Sequence, residues 1–160
     1  MQGHRIVGHQ SGTAEEVFES ARVKPAVVQV ESHPYLPEWE LLDYCKKNGI
    51  VMQPFAPLGH GMEPKLLDDP VITAIAKRVG KTPAQVLLAW AVQRVTAPLT
   101  TATDTRYIEE NFQISTLPDD AIKEISEEIT TRVRLNPVVN TGIPGFIPGK
   151  KIKSTPGSHG

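Results

Sequence analysis

Short apolar strands alternate with helical patterns along this 160-residue chain, and this alternation constrains the fold more than any other feature. Runs rich in β-branched and apolar residues predict strands at 26–31 and 50–55, and a third, shorter strand at 97–100. Ile6-Val7 is a candidate for a fourth strand. Because strands separated by helices form βαβ units, the pattern predicts an α/β fold with a parallel sheet covered by helices.

Capping residues mark where the helices begin. The strongest signal for a helix start is at Thr82, where Pro83 takes the first helical position and Gln85 completes a capping box. The last helix has an apolar stripe that starts at Ile122 and is predicted to continue to Val133. The predicted helices begin at Thr13, Pro37, Asp69, Thr82, Asp104 and Leu117.

Composition excludes several functional classes. The chain is 39% hydrophobic and 22% charged with a formal net charge of −1, as expected of a globular protein with one sizeable core. The charge gives no sign of nucleic-acid binding, and no apolar run approaches the ~20 residues that span a membrane. Cys45 is the single cysteine, which excludes an internal disulfide and a cysteine-cluster zinc site, and a reducing, cytoplasmic setting is expected. His60 has no second ligand at metal-binding spacing, so no metal site is predicted.

Candidate functional residues follow the predicted strands, because function in parallel α/β folds gathers at the carboxyl ends of strands. Gln29, Phe55 and the glycine-rich loop at 56–61 occupy two such ends. After the third strand, a polar turn leads into the helix at Asp104, which suits a phosphate that Arg106 could pair with. The simpler interpretations are a satisfied strand glutamine, a core phenylalanine and a solvated arginine. Neither common glycine-rich phosphate fingerprint is present.

Four stretches resemble the C-terminal half of the aldo-keto reductases: KPAVVQVESHPYL, LLDYCKKNGIVMQPFAPLG, LLDDPVITAIAKRVGKTPAQVLLAWAVQR and YIEENF. The resemblance extends from about Thr13 to Glu128, and the final GIPGFIP is similar to fungal members. It implies a partial (β/α)8 TIM barrel, made of the last three to four βα units plus a C-terminal helix and tail. Residues 1–12 are then unassigned, 13–135 form the partial barrel, and 136–160 form an irregular tail.

The resemblance also implies a cofactor, NADP(H), and the reduction of a carbonyl to an alcohol by hydride transfer. Gln29 matches the glutamine that binds the nicotinamide carboxamide, and Phe55 stands where a tyrosine usually stacks on the ring. Leu58 matches the loop whose backbone holds the pyrophosphate. Glu110 and Asn111 match the pair that contacts the adenine.

Several positions depart from the family. Its Lys-Ser pair is Thr101-Ala102 here, which removes a cation expected near the 2′-phosphate. Its arginine falls on Tyr107, so Arg106 is the candidate substitute. Its Ser-Asn pair after the fifth strand falls on Val7-Gly8. These departures leave NAD(H) open as an alternative to NADP(H).

The family's catalytic tetrad belongs to the N-terminal half, which has no counterpart in this sequence, so no catalytic residue is assigned. Tyr35 and His33 are weighed as replacements for the missing general acid, but the HPYL turn that contains them is structural in the family.

Three functional hypotheses follow. The first is a truncated, NADPH-dependent oxidoreductase acting on a small carbonyl or secondary-metabolite substrate. The second is a non-catalytic half-barrel that binds a cofactor or a partner, through self-association or with a complementary half-barrel, because open strand edges favour pairing. The third is an inactive gene fragment.

Overall fold

A computed structural model describes residues 5–7 and 11–136 of the chain. Helices and strands alternate as predicted, and two short 3₁₀ turns, Gly59–Gly61 and Leu66–Asp68, follow the third strand. The strands and α-helices are, in order, β1 Arg5–Val7, α1 Ser11–Ser20, β2 Val27–Glu31, α2 Trp39–Lys47, β3 Val51–Phe55, α3 Pro70–Val79, α4 Pro83–Gln93, α5 Thr105–Phe112 and α6 Asp119–Glu128. The predicted α/β class is confirmed, and so is the fourth strand at Ile6-Val7.

The sheet is parallel, with the strand order β1-β2-β3. Residues 97–100 run beside β3, where the Ala97 and Leu99 amides donate to Met52 O (2.9 Å) and Pro54 O (2.8 Å). The prediction of a strand there is wrong, because the segment forms a single bridge, between Leu99 and Phe55. The Pro98 nitrogen lies between these two donors and faces away from β3, so its missing hydrogen prevents pairing on the outer side of the segment.

Several helix boundaries differ from the prediction. Helix α2 begins at Trp39 with Glu38 as its N-cap, so Pro37 precedes the helix. Helix α6 begins at Asp119, two residues after Leu117. Helix α1 begins at Ser11, so Thr13 lies inside it. Helix α6 ends at Glu128, so the helical stripe does not continue to Val133. The Val133 amide instead donates to Tyr35 O (3.0 Å). A tertiary hydrogen bond therefore replaces the helical one in the residues after Glu128. The predicted caps at Asp104 and Thr82 are confirmed.

The described residues form two apolar cores. One lies between α2 and one face of the sheet, and contains Val28, Val30, Leu41, Leu42, Cys45, Ile50 and Met52. The other joins α3, α4 and α6 around residues such as Ile72, Leu87, Trp90 and Ile125. Because side chains alternate along a strand, Gln29, Glu31 and Phe55 lie on the face of the sheet away from α2.

That second face is only partly covered. Val51, at the start of β3, is 47% exposed. Leu99, which lies opposite Phe55 at the other end of β3, is 43% exposed. The candidate residues Gln29 and Phe55 therefore lie on a face that has both covered and open regions. Residues 137–160, including the GIPGFIP stretch, lie outside the described residues, as do 1–4 and 8–10. The predicted domain limits stay predictions.

Candidate functional site

Gln29 and Phe55 are brought together near the carboxyl ends of β2 and β3. Gln29 pairs in register with Gln53, and its side-chain amide donates from Nε2 to Gln53 Oε1 at 2.9 Å. Gln29 is 7% exposed, so this hydrogen bond fixes the orientation of a nearly buried amide. Phe55 follows two residues after Gln53 and is half-buried. An oriented amide and a partly open aromatic ring therefore share one region of the sheet.

The loop after β3 has a constrained backbone. Ala56 (φ 51°) and His60 (φ 54°) adopt the left-handed conformation that side chains disfavour, and such residues concentrate at functional sites. Gly59 is required, because a Cβ there would lie 3.0 Å from both Leu135 Cδ1 and Leu66 Cβ. The loop thus packs directly against the C-terminal segment.

Leu58 has a structural side chain. It is half-buried and packs against the core formed by α3, α4 and α6. The main chain of 56–61 is therefore the part of this loop that could contact a ligand, which is the part that the resemblance assigns to the pyrophosphate.

At the start of α5, where the sequence predicts a phosphate site, the Asp104 side chain caps the helix. Its carboxylate accepts from the Arg106 amide (2.9 Å) and from Arg106 Nε (3.2 Å) and Nη2 (2.8 Å). The amides of Tyr107 and Ile108 both donate to Asp104 O (3.1 Å). The Arg106 guanidinium lowers the pKa of Asp104 below its ordinary value, and Asp104 raises the pKa of Arg106. Arg106 would have to leave this exposed pair to bind a phosphate, and its role as a ligand stays a prediction.

Glu110 and Asn111 lie at the other end of α5. The Thr82 hydroxyl donates to Glu110 Oε1 at 2.5 Å, and Gln85 Nε2 donates to Glu110 O at 3.3 Å. Asn111 is half-buried. The capping pattern predicts Thr82 and Gln85 only as caps of α4, whereas in the structure both also contact α5. Local spacing carries no signal for such a contact between helices.

Glu31, at the end of β2, is fully buried and holds the C-terminal segment. Its Oε1 accepts from the amides of Leu135 (2.6 Å) and Asn136 (2.9 Å) and lies 3.0 Å from His33 Nε2, while Arg134 Nη1 donates to Oε2 at 3.2 Å. Burial alone would raise the pKa of Glu31, but the hydrogen bonds from His33 and the two amides outweigh it, so the pKa is lowered. The carboxylate is therefore ionised and structural.

Tyr35 is likewise engaged within the fold. It is 3% exposed, and its hydroxyl donates to Asp69 Oδ2 at 2.8 Å. The other oxygen of Asp69 accepts from the Val71 and Ile72 amides and so caps α3. Burial, followed by the hydrogen bond to Asp69 and then the negative charge of Asp69, raises the pKa of Tyr35 above its ordinary value. A hydroxyl with a raised pKa and a committed proton is poorly suited to act as a general acid, which fits the structural interpretation of the HPYL turn.

Arg94, at the end of α4, is a buried cation that sequence analysis did not single out. Its guanidinium lies between the rings of Trp39 (4.3 Å) and Trp90 (4.1 Å) and donates to Pro37 O. Burial lowers the pKa of Arg94 to about 9, although the negative charge of Glu38 opposes this shift. These contacts join the end of α4 to the start of α2.

Within residues 11–136, no helix is both long and apolar enough to cross a membrane. The same part of the chain contains no group of three or more His, Cys, Asp or Glu side chains placed to hold a metal ion.

A family model and individual relatives point to the same protein family. The model of the Aldo/keto reductase family matches residues 6–129. An aldo/keto reductase of Synechocystis sp. is 41% identical over 123 residues, covering 70% of this chain and 38% of the relative. An aldehyde reductase of Saccharomyces cerevisiae is 40% identical (70% of this chain, 36% of the relative), and a glycerol 2-dehydrogenase (NADP(+)) of Hypocrea jecorina is 36% identical (74% and 40%). The chain thus spans about two fifths of the length of these relatives.

Solved structures agree with this assignment. An aldo-keto reductase enzyme from a Medee basin deep-sea metagenome library superimposes with a TM-score of 0.75 at 29% identity, covering 81% of this chain and 48% of the other. The architecture is therefore part of a (β/α)8 barrel. Because the family model covers most of the sequence and the structural match covers most of the fold, the chain belongs to the aldo/keto reductase family.

Proposed function

We propose that this chain is the cofactor-binding part of an NADP(H)-dependent carbonyl reductase, and that on its own it does not turn over a carbonyl substrate. The observation that carries the proposal is the Gln29–Gln53 amide pair in the middle of adjacent parallel strands, with Phe55 two residues beyond Gln53 at the carboxyl end of β3. Two similar proteins are an aldehyde reductase and a glycerol 2-dehydrogenase that uses NADP(+), which supports an exchange between a carbonyl and an alcohol.

The residues present fit a dinucleotide at its two ends. Gln29 would hold the carboxamide, since its nearly buried amide is already oriented, and Phe55 would cover one face of the nicotinamide ring. The main chain of 56–61 would face the pyrophosphate, and Glu110 with Asn111 would bind the adenine. When bound, the dinucleotide supplies the hydride.

The 2′-phosphate end fits less closely. Thr101 and Ala102 supply no cation there, and Arg106 is held by Asp104. Preference for NADP(H) over NAD(H) therefore depends on Arg106 leaving that pair. The small carbonyl substrate, a role in secondary metabolism and a cytoplasmic location are further parts of the proposal.

We expect no turnover by this chain because neither candidate proton donor is free to act. The Tyr35 hydroxyl is committed to Asp69, and His33 is fully buried with its Nε2 against Glu31, so neither side chain can reach a carbonyl as a proton donor. The protonation step would then need a group from outside the matched region.

A direct test is a titration of the full chain with NADPH and with NADH, followed by nicotinamide fluorescence, with a thermal melt in the presence and absence of each. Gln29→Met removes the amide that would bind the carboxamide, whereas Gln53→Met removes only its partner. We expect Gln29→Met to weaken NADPH binding by about two- to tenfold, the value of one hydrogen bond, and Gln53→Met to weaken it less.

Other results would contradict the proposal. Equal weakening by the two variants would show that Gln29 acts only through the sheet. Carbonyl-dependent oxidation of NADPH by this chain alone would disprove the lack of turnover. Absence of binding to either dinucleotide would reject the proposed function.

The second hypothesis, a non-catalytic half-barrel that binds a partner chain, is favoured by the exposure of Val51 and Leu99 on the partly covered face of the sheet. Self-association of two copies would cover these apolar side chains. Light scattering across a range of concentrations measures the mass, and a monomer throughout would reject self-association.

A further inference from the structure

We propose that Thr82 is a positioning residue for the adenine end of the cofactor site, acting through the carboxylate of Glu110. The inference rests on the proposed function, and it assigns a role to a residue that neither the resemblance nor the capping pattern places in the site. Thr82 begins α4 and lies 28 positions before Glu110 in the sequence.

The hydroxyl of Thr82 uses both of its hydrogen-bonding capacities. Its oxygen accepts from the Gln85 amide (3.2 Å), which caps α4, and its proton goes to Glu110 Oε1 (2.5 Å). A hydroxyl has a single proton to donate, so the cap and the contact to Glu110 do not compete. One side chain therefore fixes the start of α4 and the direction of a carboxylate on α5.

Helix α5 depends on such polar contacts because its apolar side chains are not buried. The described part of the chain has no buried residue in α5, and Phe112 is 86% exposed. Besides the Thr82 contact, Gln85 Nε2 donates to Glu110 O (3.3 Å) and Gln113 O (3.5 Å). These bonds all come from the first turn of α4 and reach the C-terminal end of α5. The orientation of Glu110 is therefore set by the first turn of α4.

Fixing one carboxylate oxygen has a chemical consequence for the other. An ionised carboxylate has two oxygens and about four acceptor positions. With Oε1 bound to Thr82, Oε2 is held in a defined direction and can accept from an amino group of a ligand, here the exocyclic amino group of adenine. A carboxylate that is oriented before binding loses less side-chain freedom when the ligand arrives.

The test separates the cap from the contact. Thr82→Asp keeps a good N-cap acceptor but has no proton for Glu110 and places a like charge beside it. Thr82→Ser keeps both functions. Thr82→Gly is tolerated at an N-cap, and it serves as a second non-donating variant if Thr82→Asp does not fold.

The ligands are NADPH and nicotinamide mononucleotide, which lacks the adenosine half. We expect Thr82→Asp and Thr82→Gly to weaken NADPH binding by about tenfold, without changing the binding of the mononucleotide. We expect Thr82→Ser to bind both ligands like the wild type. Hydrogen exchange of the α5 amides in the cofactor-free chain should be faster in Thr82→Asp than in Thr82→Ser.

Each other outcome overturns the inference in a recognisable way. Unchanged NADPH binding by folded Thr82→Asp and Thr82→Gly would show that Thr82 does not position Glu110. Equal weakening of both ligands would indicate a general structural effect. A wild-type chain that binds the mononucleotide but gains nothing from the adenosine half would reject this inference alone, whereas binding of neither ligand would reject the proposed function with it.

Discussion

Two polar junctions hold distant parts of this molecule together, and they differ in burial. Glu31 joins the end of β2 to the segment 129–136 with a carboxylate that is fully buried. Thr82 joins α4 to α5 through Glu110, and both side chains are half-buried. The first junction lies among buried residues such as His33, whereas the second holds a helix without a buried side chain.

The difference teaches that burial, more than the number of hydrogen bonds, decides what each junction does. A buried charge must keep its partners, because an unpaired one carries a large desolvation cost. A half-buried carboxylate that is held through one oxygen still offers its other oxygen to water or to a ligand. The Glu31 junction is therefore suited to holding the fold, and the Glu110 junction to binding a ligand.

Removing the buried carboxylate should have the largest effect. Glu31→Ala leaves the amides of Leu135 and Asn136 without their acceptor and removes the partner of His33 Nε2. We expect a loss of about 3 to 5 kcal/mol in the free energy of unfolding. Urea denaturation followed by circular dichroism measures it. Glu109→Gln, an exposed carboxylate on α5, is the control and should change stability by less than about 0.5 kcal/mol. Similar values for the two variants would remove the distinction between the junctions.

The pH dependence sharpens the same comparison. Since the folded pKa of Glu31 is lowered, its contribution to stability is complete above the ordinary pKa of a glutamate and is lost as the pH falls through the lower, folded value. Glu38 acts in the opposite direction, because burial raises its pKa and its ionisation destabilises the fold as the pH rises. We expect the free energy of unfolding of Glu31→Gln to fall less steeply with acidification than that of the wild type. Parallel curves would show that Glu31 does not control the acid limb.

How far the sequence could predict these features depends on the range of the interactions. Strands 27–31 and 51–55 and the caps at Thr82 and Asp104 follow from neighbouring residues, and the structure has them. The end of α6 at Glu128 was not predictable in this way, since the apolar stripe continues past it.

The site shows the same limit. Gln29 and Phe55 were predicted to share a region because adjacent parallel strands end at one edge of a sheet. The contact of Glu31 with Leu135 joins residues 104 positions apart, and no local pattern contains it. Likewise, Asp104 was predicted as a cap, but its hold on the Arg106 guanidinium required the three-dimensional structure.

The smallest expected effect concerns the exposed helix. Phe112 is 86% exposed, so Phe112→Ser removes almost no buried apolar surface and should change the free energy of unfolding by less than about 0.5 kcal/mol. Ile125→Ala on α6 is the matched comparison, because Ile125 is 1% exposed and its truncation leaves a cavity that should cost about 2 to 5 kcal/mol. Both are measured by the same urea titration. A large loss in Phe112→Ser would mean that this ring is covered in solution, and α5 would then be held by apolar packing as well as by Thr82.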